Sequence, residues 1–229
     1  PAVRTALEYA INRPEINKVV LNGVGEPAYQ PFPKSSPGYN PTVGTTYSYK
    51  PATAKAMLAQ AGFPNGESFD LVFPAGETEF QSAATIMQNE LAPAGFHMTI
   101  TQIPGADLEN QVYEKKEGNA VFIENSNNGP DIANNFESSY ESTGFVAVSL
   151  GSVNAKVTSL VQQASNSISA TVQGPLMQQA SQIVMSQGLE IPIAFIPEIV
   201  AYNKARVGGP VVAPIGFCKA NLAGIYIKR

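Results

Sequence analysis

The sequence predicts an α/β fold in which helices flank a central, mostly parallel sheet. Within residues 69–123, three apolar strand-like segments alternate with two helical patterns, and the connections between the strands are long enough to cross the sheet. The chain of 229 residues is long enough to bury a core without disulfides or metals. Its single cysteine and single histidine exclude a disulfide framework and a Cys-rich or His-paired metal site.

The amino-terminal part is predicted to be helical on either side of an irregular arm. Residues 3–11 repeat apolar side chains at helical spacing, and a second short helix is predicted from Pro14. Residues 25–41 contain five prolines interleaved with aromatic side chains, which favours an arm packed across the domain surface; a ligand-contacting role is the alternative. A third helix is predicted from Pro51 to a glycine cap at Gly62.

Strands and helices then alternate. Residues 69–73 alternate as a strand, residues 80–91 carry a helical stripe, and residues 97–101 form a second strand pattern. A helical pattern from residue 106 to 116 leads to an apolar third strand at residues 120–123. Connections of this length make the strands parallel, and ligands of parallel sheets gather at the carboxyl ends of the strands.

The loop after the third predicted strand is the most polar segment of the chain. Its asparagine and serine side chains both donate and accept hydrogen bonds, and its carboxylates can hold a cationic group. A solvated turn without a ligand is the alternative. The candidate ligand-binding residues are Glu124, Asn125, Ser126, Asn127, Asn128 and Asp131.

Several functional classes are disfavoured. A net charge of −4, from 14 Lys and Arg against 18 Asp and Glu, argues against a nucleic-acid partner. The sequence has no run of apolar residues long enough to span a membrane and no nucleophile-elbow motif. His97 falls in step with the polar residues of its strand and is distant in sequence from Cys218, which we interpret as a packing residue of an apolar tail. We expect no enzyme; a hydrolase that uses Glu124 and Asp131 is the alternative.

The carboxy-terminal part is predicted to contain two helices and one strand. Apolar residues line a helix at 157–164, and a second helix is predicted to open at Gly174-Pro175. Residues 191–196 predict a buried strand. Residues 197–229 show no helical period.

Five motifs occur in a fixed order along the chain. Residues 3–13 read V-R-T-A-L-E-Y-A-I-N-R, residues 23–28 read G-V-G-E-P-A, and residues 54–66 read A-K-A-M-L-A-Q-A-G-F-P-N-G. Residues 91–96 read L-A-P-A-G-F, and residues 190–193 read E-I-P-I. In this order they resemble the carboxy-terminal part of family 5 extracellular solute-binding proteins, the dipeptide, oligopeptide and nickel receptors of ABC importers.

The resemblance implies a periplasmic-binding-protein-like lobe. Residues 1–229 would form a single carboxy-terminal lobe, with helices and a Pro-rich arm in 1–50, an α/β core in 51–196 and an irregular tail in 197–229 that returns toward an amino-terminal lobe absent from this sequence. The implied partners are an oligopeptide or similar small solute, the ABC permease subunits and that missing lobe. The implied location is extracytoplasmic, either periplasmic or lipid-anchored, and no cofactor is implied. A free-standing interaction module that uses residues 27–41 is the second hypothesis.

One departure from the family pattern bears on the ligand. Peptide-binding members carry a Trp and an amine-pairing Asp in the loop after the third strand, whereas this sequence has no Trp. Residues 129–131, Gly-Pro-Asp, are similar to the end of that loop, which leaves Ser126 or a neighbour at the amine-pairing position. A solute without a free amino group is therefore also compatible with the sequence.

Overall fold

Helices and short strands alternate along the chain in a computed structural model that describes residues 1–124, 132–197, 199, 201–209 and 224–228. The helices are α1 (Ala2–Ala10), α2 (Arg13–Val20), α3 (Pro51–Gln60), α4 (Thr78–Leu91), α5 (Asn134–Tyr140), α6 (Phe145–Leu150), α7 (Ala155–Ser165) and α8 (Ala170–Gln187). The strands are β1 (Glu26–Pro27), β2 (Glu67–Pro74), β3 (Phe96–Ile103), β4 (Ala120–Val121), β5 (Ala194–Phe195), β6 (Val207–Gly208) and β7 (Tyr226–Ile227).

A parallel sheet with the strand order β3-β2-β4 lies at the centre of the fold. β2 pairs with β3 along its full length of 8 residues, so that Pro74 lies opposite Ile103 where both strands end. β4 pairs with β2 through Ala120 and Val121 only, so the third strand is shorter than the predicted 120–123. The predicted parallel sheet with flanking helices is confirmed.

One hydrophobic core lies between this sheet and helices that include α1, α3 and α4. Leu71 and Phe73 of β2 and Phe96 and Met98 of β3 are buried in it. The helices contribute small and aliphatic side chains that follow the periodicity read from the sequence. These are Ala6 and Ala10 of α1, Ala54 and Leu58 of α3, and Ala83, Ala84, Met87 and Leu91 of α4.

A second core joins α5, α7 and α8 to the Pro-rich arm. Phe32 of the arm is 1% exposed, and its ring stacks on that of Phe136 with centroids 5.1 Å apart. The side chain of Gln30 exchanges two hydrogen bonds with the backbone of Asn40, at 2.7 and 3.0 Å. The side-chain amide of Asn40 also donates to the backbone carbonyl of Gln178 in α8 at 2.7 Å. The prediction of an arm packed on the domain is therefore confirmed.

A buried ion pair connects the segments that form the two cores. Arg13 and Glu8 are paired through their side chains, and both are fully buried. The Arg13 guanidinium also donates to the Pro192 carbonyl at 2.6 Å and to the Tyr47 carbonyl at 3.1 Å. One side chain thus holds the arm, the first two helices and the segment before β5 together.

The segment predicted to be helical at 106–116 is helical, but it is not an α-helix. The chain forms a 3₁₀ turn at Gly105–Asp107 and a π-helical segment at Glu109–Glu114 instead. Leu108 and Val112 pack together against the sheet from this segment. The contact with the sheet therefore overrides the α-helical period of the sequence.

The start of α8 also differs from the prediction. The helix begins at Ala170, so Pro175 lies inside it rather than at its opening. The Ser169 carbonyl accepts from the amides of the third and fourth helix residues, both at 2.9 Å, which closes the first turn ahead of the proline. Pro175 is the sixth residue of α8, so it lacks the amide that would bond to the Thr171 carbonyl, and its ring crowds that carbonyl.

The predicted buried strand at 191–196 is wrong in extent and in burial, since both strand residues are half-buried and Ile196 is exposed. β5 contains only Ala194 and Phe195, and it pairs antiparallel with β1 rather than with the central sheet. Because the sequence around β1 is rich in proline, it did not indicate that this segment would pair with β5. In the tail, β6 and β7 pair antiparallel, a contact that the sequence did not indicate.

Substitution of Phe32 tests how the arm packs. Phe32→Ala is expected to lower the free energy of unfolding by about 3–5 kcal/mol, because it leaves a cavity against Phe136. Phe145→Ala is the matched control: this ring is 49% exposed, so a change of about 0.5 kcal/mol is expected. Urea unfolding followed by circular dichroism measures both, and equal losses would contradict the buried position of Phe32.

A pair of glycines tests the close approach of two turns at the start of β2 and β3. Gly66 has a φ of +95°, and a Cβ there would lie 2.5 Å from the Gly95 carbonyl oxygen. Gly62 has a φ of +100° with no atom within 4 Å of such a Cβ. Gly62→Ala should therefore cost about 1–2 kcal/mol from the dihedral angle alone. Gly66→Ala should cost clearly more in the same urea titration; equal midpoints would rule out the close approach.

Candidate functional site

The carboxyl ends of the three parallel strands lie side by side at one edge of the sheet. Beyond the last residues of β2 and β3, the Ala75 amide donates to the Ile103 carbonyl at 2.7 Å. Beyond β4, the Phe122 amide donates to the Val72 carbonyl at 2.8 Å. Because ligands of parallel sheets bind at this end of the strands, the edge is the candidate functional site.

Three phenylalanine rings form an aromatic cluster at this edge. Phe80, in the first turn of α4, stacks on Phe122 with ring centroids 4.6 Å apart. Phe73 meets both rings edge-on, with centroids 6.3 and 6.5 Å away. Phe73 is fully buried, whereas Phe80 and Phe122 are half-buried and pack against the first core. Periodicity assigned Phe80 to a helix and Phe122 to a strand, and it contained no signal that the two would meet.

Exposed carboxylates accompany the aromatic cluster. The segments that leave the strands, at 74–80, 103–108 and 121–124, contain no Lys, Arg or His. Their exposed acids are Glu77, Glu79, Asp107 and Glu124. The described part of the edge therefore combines apolar ring surface with negative charge, which suits a cationic or neutral ligand with an apolar part better than an anion.

Glu124 is the one predicted site residue whose position the structure describes. It is exposed and follows Phe122 by two residues. The chain is described again from Ile132, whose amide donates to the Gln173 side chain of α8 at 3.2 Å. The other predicted residues, Asn125, Ser126, Asn127, Asn128 and Asp131, lie outside the described residues, so their role as ligand contacts stays a prediction. The separation of the two carboxylates of the hydrolase alternative is likewise not described.

A separate polar region covers the middle of the sheet. The hydroxyls of Thr99 and Thr101 both donate to one carboxylate oxygen of Asp70 at 2.8 Å, and the Asp70 amide donates to the Asn119 side chain at 3.0 Å. A depression of about 510 Å³ is lined by Asp70, Thr99, Asn119 and His97 among others. His97 is exposed, as its strand register predicts. These polar groups satisfy one another and lie away from the carboxyl edge, so we do not assign the ligand site to them.

Two features are absent from the ranges that the structure describes. There, no group of three or more His, Cys, Asp or Glu side chains is placed to hold a metal ion. In the same ranges, none of the helices combines the length and the apolar character needed to cross a membrane. Cys218 lies outside these ranges.

Sequence comparison places the chain among solute-binding proteins. Residues 1–146 match the model of the family described as "Bacterial extracellular solute-binding proteins, family 5 Middle". Heme-binding protein A of Haemophilus influenzae is 28% identical over 231 aligned residues, which cover 94% of this chain and 40% of that protein.

Comparison with solved structures supports the same assignment. HbpA2 from Haemophilus parasuis matches with a TM-score of 0.80 and 25% identity, over 100% of this chain and 45% of that chain. The ABC transporter-associated periplasmic binding protein DppA from Helicobacter pylori, in complex with the peptide STSA, matches with a TM-score of 0.76 and 22% identity, over 100% and 44%. The chain thus spans less than half the length of these relatives, and the predicted periplasmic-binding-protein-like fold is confirmed. The chain belongs to the bacterial extracellular solute-binding proteins of family 5.

Proposed function

We propose that residues 1–229 form one lobe of a two-lobed receptor that captures a solute outside the cytoplasm for an ABC importer. Family membership over residues 1–146 is the observation that carries this proposal. The description of the Helicobacter pylori neighbour as ABC transporter-associated supports the same role. Since the chain spans less than half of each relative, the second lobe is assigned to further polypeptide outside these residues.

The proposed ligand is a peptide or a similar small solute with a cationic group. The Helicobacter pylori neighbour holds the peptide STSA, which supports the peptide class. At the carboxyl edge, the Phe80–Phe122 pair offers apolar contact, and Glu124 and its acidic neighbours attract an amino group. Heme, named for the Haemophilus influenzae relative, is a second candidate because a flat ring system also stacks on phenylalanine. The acidic edge disfavours the carboxylates that heme carries.

In the proposed mechanism, the solute binds first at the carboxyl edge and the second lobe then closes over it. Closure removes water from the polar contacts, which strengthens each charge-assisted hydrogen bond in the site. The permease subunits would recognise the closed form. Residues 197–229 are proposed to return toward the second lobe, while residues 51–196 supply the core that carries the edge.

The interaction-module hypothesis for residues 27–41 has less support. Phe32 is 1% exposed and is occupied by its stack on Phe136. Tyr29 lies against the Arg13 guanidinium, with 5.2 Å from the guanidinium carbon to the ring centroid. These rings contribute to the fold, so they are not free to contact a partner.

The two-lobe proposal predicts a large difference in affinity. The 229-residue chain alone is expected to bind the peptide STSA about a hundredfold more weakly than the two-lobed protein, because contacts from one lobe are lost and closure cannot exclude water. Isothermal titration of both proteins with the same peptide measures the ratio. Equal affinities would show that closure between two lobes is not part of binding.

The ligand class is tested at Glu124. Glu124→Gln in the two-lobed protein should weaken binding of STSA about three- to tenfold, since it removes one charge beside the peptide's amino group. The same substitution should not change the affinity for N-acetylated STSA, because that peptide has no charged amino group. Glu117→Gln is the matched control, because this carboxylate is also exposed but precedes β4 rather than following it. Equal losses for both forms of the peptide would argue against an amine contact at Glu124.

A further inference from the structure

An apolar surface without charged side chains lies on α6 and on the turn that follows it. Its exposed side chains are Phe145, Val148, Leu150 and Val153, and we call them the α6 surface. Residues 142–155, which contain it, include no Asp, Glu, Lys, Arg or His. Because apolar side chains grouped on a surface in this way mark ligand grooves and interfaces, the α6 surface is a candidate for binding.

α6 is held closely against α5. The Ser152 hydroxyl, just after α6, donates to the Ser139 carbonyl of α5 at 2.8 Å. A Cβ at Gly144, the residue before α6, would collide with the carbonyl oxygens of Glu137 and Ser138. Since only glycine lets the backbones approach this closely, the α6 surface is carried by a segment whose position is fixed by packing.

α6 also contacts the segment that leads into β4. The rings of Phe145 and Tyr113 have centroids 5.3 Å apart and planes tilted by 57°. Tyr113 packs against the buried cluster that contains Val72 and Ile103, and so does Val121. Ile103 is the last residue of β3 and Val121 the last of β4. The Tyr113–Phe145 pair therefore lies beside the carboxyl ends of the strands.

An aromatic pair thus lies on each face of the sheet near its carboxyl edge. Phe80 and Phe122 pack against the first core, toward which Phe73 of β2 points. Tyr113 packs with Val72, whose side chain points to the opposite face because side chains alternate along a strand. The acids Glu79 and Glu124 lie next to the first pair in the sequence, whereas the α6 surface beside the second pair has no charge.

The predicted ligand contacts in 125–131 are joined at both ends to elements next to the α6 surface. They follow β4, whose Val121 shares a cluster with Tyr113. They precede α5, against which α6 packs. A solute held by these residues would therefore lie beside Phe145.

We propose that Tyr113, Phe145 and Val148 form a subsite that binds an apolar or aromatic side chain of the solute. This inference rests on the proposed function, because it assigns the apolar group of the solute to α6 and its cationic group to Glu124 and the neighbouring acids. A ring of the solute would meet Phe145 edge-on or in an offset stack, the arrangements that aromatic pairs prefer.

The size of the α6 surface fits a side chain better than a protein partner. Its four half-exposed side chains offer a few hundred Å² at most, whereas a stable protein interface buries about 800 Å² on each partner. A single aromatic side chain buries about 150–250 Å². The polar residues Ser142, Thr143 and Asn154 flank the surface in the sequence, which limits its extent.

The test uses the two-lobed protein and five tetrapeptides, namely STSA and the four derivatives in which one residue is replaced by phenylalanine. Isothermal titration should show at least one derivative that binds about tenfold more tightly than STSA, since it buries an additional ring. In Phe145→Ala, the ratio between the affinities for that derivative and for STSA should fall below about three. Val148→Asp, which places a charge at an exposed position of the same surface, should lower this ratio as well.

Ile168→Ala is the control variant. It removes a side chain that is 77% exposed in the turn between α7 and α8, so the ratio should stay at about ten. Binding of STSA without any gain from phenylalanine, or a gain that survives both α6 variants, would overturn the subsite and leave the proposed function intact. If none of the five peptides binds, the peptide ligand is wrong and the subsite with it.

Analytical ultracentrifugation separates the subsite from a contact between copies. The wild-type protein and Phe145→Ala are expected to sediment as the same species. A dimer that Phe145→Ala converts to monomer, with the preference for phenylalanine intact, would assign the α6 surface to a second copy of the chain. An equal loss of affinity for STSA and for the derivative would assign it to contact with the second lobe, and either result would overturn the subsite.

Discussion

The buried guanidinium of Arg13 is the interaction on which the rest of the fold depends. It links α1 and α2 to the arm and to the segment before β5, which lie far apart in the sequence. Removing one partner of such a buried pair costs about 3–5 kcal/mol, because the remaining charge loses its compensation. The sheet side and the helical side of the lobe are therefore held in one arrangement by polar contacts as well as by apolar packing.

That arrangement determines what the carboxyl edge of the sheet presents. β2 and β3 end at the same level, and the stacked Phe80 and Phe122 seat the start of the loop after β4 on α4. Ile132 resumes the described chain against α8, on the side of the second core. The described residues that flank 125–131 therefore pack on different cores, Phe122 on the first and Ile132 on the second.

The sequence predicted the elements whose hydrophobic pattern is regular and local. The apolar faces of α3 and α4 are buried as expected, because each packs against a single core. β2 is buried on both faces, since Leu71 and Phe73 lie in that core and Val72 packs with Ile103 and Val112. The structure differs from the predictions at segments whose contacts come from residues far away in the sequence. β5 pairs with a Pro-rich segment, and residues 109–114 adopt a π-helical turn against the sheet. Neither the pairing of β5 with β1 nor the contact of residues 109–114 with the sheet can be predicted from the periodicity of a short segment.

The sequence by itself determined the fold class, the family and the acidic character of the edge, because motif order, periodicity and residue type are properties of the linear chain. Only the tertiary structure decided that Phe80 and Phe122 stack, that Phe32 belongs to a core, and that Glu8 and Arg13 form a buried ion pair. Contacts of this kind depend on how distant segments approach each other. That approach is set by packing of the whole chain, which no short stretch of sequence specifies.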